Sequence, residues 1–295
     1  MTPSPHNRKE SVAFGIDIGG SRIRVGWVHP LPPGSTAPNV DHLADYDATG
    51  DFVLDMRQIA KAIGDYRGQP ERVGLAVAGP ISPAGEIIDA PNLRGWIGRK
   101  PLLDLAKRVR SERAVYHLSN DAVAQATAEG LWGEHAGQTF LYISWGTGLG
   151  GAFVTGQEDG IPVVEGVEPG HVPMHDITPI VCGCGKVNCL ETFVGGSGIR
   201  TRYKRPAEEI DDGAWHEVCE DFAKGLAAIL PLRPTELVVF GGGISYRQSE
   251  RLAAIAEMLP EYLSPTVPVP RLALGSHGDT AGVIGSLYGS ITHRN

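Results

Sequence analysis

One pattern constrains the fold more than any other, and it occurs twice. VAFGIDIGGSRIRVGWV (12–28) and TFLYISWGTGLGGAFV (139–154) each run from an apolar stretch through a glycine turn carrying a hydroxyl residue into a second apolar stretch. Short apolar runs closed by glycine read as strands joined in a hairpin, with Ile23, Val25 and Trp27 alternating at period two. Helical spacing follows in FVLDMRQIAKAIGDY, where Val53, Met56, Ile59, Ala60 and Ile63 share a face, and in PLLDLAKRVR. NDAVAQATAEGLWGE opens on a polar cap, and HEVCEDFAKGLAAIL, RLAAIAEML and TAGVIGSLYGSI complete the helices. RVGLAVAGPI, AVYHLS, TELVVFGGGIS and RLALGSHGD read as strands, and LPPGSTAPNVDH as a loop. Strands alternate with helices, so the class is α/β, and the repeated hairpin predicts two similar lobes with a cleft between them.

Charge and length narrow the function. The 295 residues suffice for one large domain or two lobes, and the net charge is −8. An acidic chain is a poor nucleic-acid binder, because that affinity rests on neutralising phosphate. The cluster Arg200, Arg202, Lys204 and Arg205 is short and reads as a solvated helix end. MTPSPHNRKE has no apolar signal core, and no apolar run is long enough to span a membrane, so a cytoplasmic protein is expected, with residues 1–11 a disordered tail.

The glycine turns point to phosphate. Gly19, Gly20 and Ser21 can bring backbone N–H groups and a hydroxyl close to an anion, and Gly146, Thr147 and Gly148 offer the same chemistry. Gly241, Gly242 and Gly243 end a strand and leave room for a flat nucleotide against the backbone. Any one alone is an ordinary turn; three at strand ends point to nucleotide binding. None is a Walker A loop or a dinucleotide fingerprint. Asp17, before the first turn, could orient a metal-bound phosphate through water or simply cap the turn.

A metal site is written in EPGHVPMHDITPIVCGCGKVNCLETF. Three of the four cysteines, Cys182, Cys184 and Cys189, fall within eight residues, and His171 stands eleven upstream of the first. One histidine and three cysteines complete a tetrahedral set for zinc, with His175 a rival fourth ligand. The alternative is buried thiols or a disulfide; in a chain without secretion signals, clustered cysteines favour metal. Cys219 lies in a helical pattern and reads as a core thiol.

An acid–base candidate is also present. Asn120 and Asp121 stand where a strand meets a helix. Capping explains Asn120 by itself, but a carboxylate there could take a proton from a sugar hydroxyl. Asn92 adds an amide that donates and accepts, as polyol binding requires; its plain reading is a loop residue after Pro91.

Together these segments resemble the ROK family (repressor, open reading frame, kinase) of sugar kinases, glucokinase-like members of the actin–hexokinase superfamily. GIDIGGS and WGTGLGG are similar to its phosphate motifs, VAGPIS and APNLRGW to its sugar loops, SNDA to its catalytic segment, EPGH and CGCGKVNCLE to its sugar-and-zinc signature, and GGGIS to its adenosine motif. The resemblance runs from about Phe14 to the C-terminus. It implies a two-lobed actin-like, ribonuclease H-like fold with the active site in the inter-lobe cleft. The lobes would be a small one at 12–120, with the C-terminal helix (about 280–295) available to pack back on it, and a large one at 121–279 carrying the zinc loop.

The resemblance also implies an ATP-dependent hexose kinase. Asp121 would be the general base on the sugar 6-hydroxyl. Gly79 (through its backbone), Asn92, Asn120, Glu168, His171 and Glu191 would hold the other hydroxyls. ATP and Mg²⁺ would lie on Asp17, Gly19, Gly20, Ser21, Arg22, Gly146, Thr147 and Gly148, with the nucleoside at Gly241–Gly243. Structural Zn²⁺ would take His171, Cys182, Cys184 and Cys189, which favours His171 over His175. The sequence departs from the family in Ser21-Arg22 for Thr-Lys, in Asn188 for glycine, and in Trp145, whose bulk is expected to press on the nucleotide or the cleft. Glucose is the family's default substrate; glucosamine, kanosamine, N-acetylglucosamine and N-acetylmannosamine are alternatives. A non-catalytic sugar-sensing regulator and a polyphosphate-using kinase are rival readings. A homodimer or homotetramer is expected, with no nucleic-acid or membrane partner.

Overall fold

A computed structural model describes residues 12–28, 38–65, 70–109, 111, 114–156, 161–175 and 178–288. The tail 1–11, most of the LPPGSTAPNVDH loop and the last residues of the closing segment lie outside the described residues. The chain forms two units: Met1–Ala124 with Gly282–Asn295, and Gln125–Ala281.

The first unit contains β1 (Val12–Ile18), β2 (Arg22–Val28), β3 (Val40–Asp47), α1 (Phe52–Gly64), β4 (Pro70–Val77), α2 (Pro101–Val109), β5 (Val115–Asn120) and the start of α3 (Asp121–Trp132). Its sheet has the order β3-β2-β1-β4-β5, antiparallel across β3, β2 and β1 and parallel across β1, β4 and β5. Ile16, Ile18, Ile23 and Val25 bury against Met56, Ile59 and Ile63 of α1, as the two periodicities require. Asp51 starts α1, its carboxylate accepting from the backbone N–H of Val53 (2.8 Å) and Leu54 (3.0 Å). The loop expected at 31–42 ends early, because Val40, Asp41 and His42 already belong to β3. Acidic residues Asp41, Asp45 and Asp47 mark β3 as an edge strand and hid it in the sequence.

The second unit has the same plan. It contains β6 (Phe140–Trp145), β7 (Leu149–Thr155), β8 (Val163–Val167), α4 (Glu191–Val194), α5 (Gly196–Tyr203), α6 (Asp212–Ile229), β9 (Leu237–Gly241), α7 (Gly243–Arg247), α8 (Arg251–Tyr262) and β10 (Arg271–Leu274). The sheet order, β8-β7-β6-β9-β10, repeats that of the first unit strand for strand and direction for direction. The Trp145 side chain does not press outward as expected but turns into the core of the second unit. It is fully buried, donates to the Val194 carbonyl (2.7 Å), and packs edge-on against Trp215 and Phe222. Arg202 is likewise more than a solvated helix end: it pairs with Asp221 at 2.9 Å and donates to the Phe193 carbonyl, joining α5 to α6.

The closing helix α9 (Ala281–Ser286) lies on the first sheet. Gly15 and Gly74 are register partners on β1 and β4. A Cβ at Gly15 would overlap the Val283 carbonyl, and one at Gly74 that of Ser286, so this seat accepts only glycine.

Candidate active site and metal centre

In the first unit the parallel strands end together. Ile18 pairs with Val77 and Val77 with Asn120, so the residues that follow converge at one edge of the sheet. Ligands of open α/β sheets bind at such carboxyl ends. After β1 comes the turn Gly19-Gly20-Ser21, closed by the Gly19 N–H on the Arg22 carbonyl (2.9 Å). After β4 comes Gly79, whose φ of +102° leaves no room for a side chain beside Asp89. After β5 come Asn120 and Asp121. Asn120 caps α3 by accepting from the Val123 N–H (3.1 Å) and also donates to the Gly79 carbonyl (3.1 Å). Cap and loop anchor are therefore one residue. Asp121 opens α3, half-buried, with one carboxylate oxygen accepting from the Ala122 N–H at 2.9 Å. Asn92 meets the first turn: a Cβ at Gly20 would stand 2.8 Å from that of Asn92.

Two residues of this unit add detail that the sequence did not supply. Asp17 is buried on β1, facing Arg24 at 3.7 Å. Arg22 points sideways to β3, pairing with Asp45 (2.8 Å) and Asp47 (2.6 Å), which hold its guanidinium in the charged form.

In the second unit β6 and β9 are parallel, with Ser144 opposite Gly241, so the turns Gly146–Gly148 and Gly241–Gly243 also share an edge. The first of these turns is held from outside by the start of α5: the N–H of Gly196 donates to the Gly146 carbonyl and that of Ser197 to the Thr147 carbonyl, both at 2.9 Å.

The cysteine loop folds into four converging donors. One ligand atom each from His171, Cys182, Cys184 and Cys189 lies within 4.8 Å of all the others, and His175 is not among them. The sulfurs of Cys184 and Cys189 are 3.7 Å apart, and Cys182 Sγ is 3.8 Å from His171 Nδ1. A disulfide needs about 2.05 Å, and all four cysteines are free. Zinc–sulfur bonds of about 2.3 Å in a tetrahedron put sulfurs about 3.8 Å apart, so the donor set fits zinc. The loop is shaped for the task. Asn188 takes the left-handed conformation (φ 54°) that glycine would supply, and its side chain accepts from the Ile180 N–H at 2.7 Å. Burial pushes the Cys182 and Cys189 thiols up, while the Lys186 N–H pulls Cys184 down. A cation is what would bring all three to thiolate.

Glu191 connects this cluster to the turn. One carboxylate oxygen accepts from Cys182 Sγ at 3.1 Å, and the other stands 3.1 Å from where a Cβ on Gly148 would be. Glu168 is exposed before the short turn Pro169–His171, and its carbonyl accepts from the His171 N–H. The first unit thus brings together Asp17, Gly19, Gly20, Ser21, Gly79, Asn92, Asn120 and Asp121, but turns the Arg22 side chain away to the acids of β3; the second carries Gly146–Gly148, Gly241–Gly243, Glu168, Glu191 and the four-donor cluster. A brace escaped the sequence reading: buried Asp55 of α1 accepts from the Thr49 N–H (2.9 Å), the Thr49 hydroxyl (2.7 Å) and Trp96 Nε1 (3.0 Å). No sequence signal marks it beyond an acid on the apolar face of a helix.

Known proteins share the fold that carries these residues. The N-acetyl-D-glucosamine kinase of Salmonella gallinarum is 28% identical over 317 aligned positions, covering 95% of this chain and 99% of the relative. A ROK family glucokinase from Streptomyces griseus, solved with glucose and AMPPNP, superposes with a TM-score of 0.76 at 21% identity, covering 94% of this chain and 98% of that one. The inorganic polyphosphate/ATP-glucomannokinase of an Arthrobacter strain superposes at 0.70 with 24% identity, covering 96% and 100%. These two structures share the actin-like fold of paired α/β units. The ROK family pattern itself matches residues 13–290, from β1 through the helix laid back on the first sheet, and the chain belongs to the ROK family.

Proposed function

We propose that the chain is an ATP-dependent sugar kinase acting on the 6-hydroxyl of glucose or a glucose-like amino sugar. The observation that carries this reading is the convergence of Asp121, Asn120, Gly79, Asn92 and the Gly19–Ser21 turn at one sheet edge. Asp121 takes the 6-hydroxyl proton as the oxygen attacks the γ-phosphate, and Asn120, Asn92 and the Gly79 backbone hold neighbouring hydroxyls. Glu168, Glu191 and His171 Nε2 bind the rest of the ring. Phosphoryl transfer of this kind depends on positioning and charge stabilisation, supplied by the backbone of the two hydroxyl-bearing turns. Mg²⁺ travelling with the nucleotide would neutralise phosphate charge, with Asp17 orienting it through water.

His171 Nδ1 and the three thiolates would hold zinc, whose contribution is structural: one fixed tetrahedron sets where Glu191 and the far ring nitrogen of His171 point. The extended likeness to an N-acetyl-D-glucosamine kinase supports the amino-sugar form of this reading, with N-acetylglucosamine the first candidate. No helix among the described residues is long and apolar enough to cross a membrane, consistent with a cytoplasmic enzyme. A homodimer or homotetramer is our expectation for its assembly. The test is a panel of glucose, glucosamine, kanosamine, N-acetylglucosamine and N-acetylmannosamine with ATP, scored by coupled ADP release. Sugar binding without ADP release from any of them would instead identify a sugar-sensing regulator.

A further inference from the structure

Helix α3 carries polar side chains on three successive turns, and the proposed chemistry uses only the first. Asp121, Gln125 and Glu129 are spaced four apart, so they follow one face of the helix. Around them the helix is rich in alanine: Ala122, Ala124, Ala126 and Ala128 are all buried. Side chains this small raise only shallow ridges, so packing fixes the depth of such a helix better than its rotation.

Polar contacts supply what the alanines do not. Gln125 Oε1 accepts from the Ser144 hydroxyl (2.8 Å) and the Tyr142 hydroxyl (3.2 Å), both on β6. Tyr142 is fully buried, and its hydroxyl takes the space of a side chain on Gly241, where a Cβ would overlap it. Ser144 stands two residues before Gly146 and is the register partner of Gly241. One turn further along α3, the buried Glu129 carboxylate accepts from the N–H of Ser276 (2.9 Å) and of His277 (3.0 Å), in the loop after β10. Two turns of α3 are thus tied down by side-chain acceptors, and the turn before them carries Asp121.

Rotation matters most at that end. A carboxylate about 5 Å from a helix axis moves about 1 Å when the helix rolls by about 10°. A misplacement of about 1 Å can cost about 10² in rate. Resting on the kinase reading above, we propose that Gln125 is a positioning residue for Asp121. Its amide oxygen, held by two hydroxyls of β6, sets the rotation of α3 at which the Asp121 carboxylate meets the sugar hydroxyl. Gln125 acts through the helix and touches neither substrate.

The experiment compares the unaltered chain with Q125M, Q125E, S144A and Q125M/S144A. It measures kcat and both KM values at pH 8, with ATP and the sugar that turns over best, together with ADP binding by calorimetry and the melting temperature. Q125M keeps the volume and removes the acceptor. It is expected to lower kcat about tenfold and leave both KM values and ADP binding unchanged, since Glu129 still holds the next turn. S144A should lower kcat about threefold in the same pattern, and it provides the test if Q125M does not fold. Q125M/S144A should be no slower than Q125M, because the two residues share one bond. Q125E again offers an oxygen to both hydroxyls and should recover most of the rate. A folded Q125M with unchanged kcat, losses that appear in KM instead, multiplying losses in the double variant, or a Q125E no faster than Q125M would each overturn the assignment. Failure of the kinase reading looks different: the unaltered chain would then transfer phosphate to no sugar, and the positioning role would fall with it.

Discussion

The two units share a strand order but brace their loops by different chemistry. In the first, the segment between β4 and α2 buries Ile87, Ala90, Leu93 and Trp96. Polar contacts tie its two ends, Asn120 donating to the Gly79 carbonyl and Trp96 Nε1 to the Asp55 carboxylate. In the second, the segment between β8 and α4 exposes Val181 and Val187 at its tip and turns its cysteines inward. Leu190 is buried at the base of this segment and Val172, Met174 and Ile180 pack on the core, so packing holds the base and little apolar surface is left to hold the tip. Bound zinc would hold that tip by ligation, on the same sheet plan that carries a packed loop in the first unit.

The sharpest way to test this division is at the point of chemistry. If Asp121 is the general base we propose, Asp121→Asn is expected to lower kcat by about 10²–10⁴ with an unchanged melting temperature, because the amide cannot take the proton but can still accept from the Ala122 N–H. Retained turnover in a folded variant would remove Asp121 from the mechanism. Trp145→Ala should cost about 3–5 kcal/mol in urea unfolding, since it empties the centre of the aromatic cluster of the second unit. Asp55→Ala should cost about 3 kcal/mol by leaving three donors without their acceptor. Its hydrogen-exchange signature should appear around Thr49 and Trp96 and leave 171–191 protected.

Metal removal should produce the mirror image. Chelation is expected to raise the sugar KM about 10–100-fold while ADP binding persists, with protection lost over 171–191 only. Unaltered sugar affinity in the folded, metal-free protein would separate the cysteine loop from the substrate. The smallest effect belongs to Cys219. Burial pushes its thiol up to about 11, so at pH 8 it stays protonated and should resist alkylation in the folded protein, measurable by mass spectrometry.

What was legible in the sequence follows from how locally each feature is encoded. The glycine turns sit at strand ends because glycine and apolar runs are local signals, and the four metal donors are concentrated in one short segment. β3 was not legible: its acids resemble a loop, and only the sheet shows that Arg22 and Arg24 face them. Missing that strand also hid the partners of Arg22. Trp145 was misread for a similar reason, since its neighbours Trp215, Phe222 and Phe240 come from α6 and β9 far along the chain. Asp55 acquires meaning only from partners brought together in space.

The seat of α9 on Gly15 and Gly74 bears on how the chain is made. Residues 125–281 form one continuous unit, whereas the first unit is completed by a segment beginning at Gly282. Domains synthesised from the N-terminus ordinarily fold in that order. Here the second can finish while the first still exposes the β1–β4 surface awaiting α9, so a nascent chain halted before Gly282 would hold a complete second unit while the first sheet still lacked its closing helix.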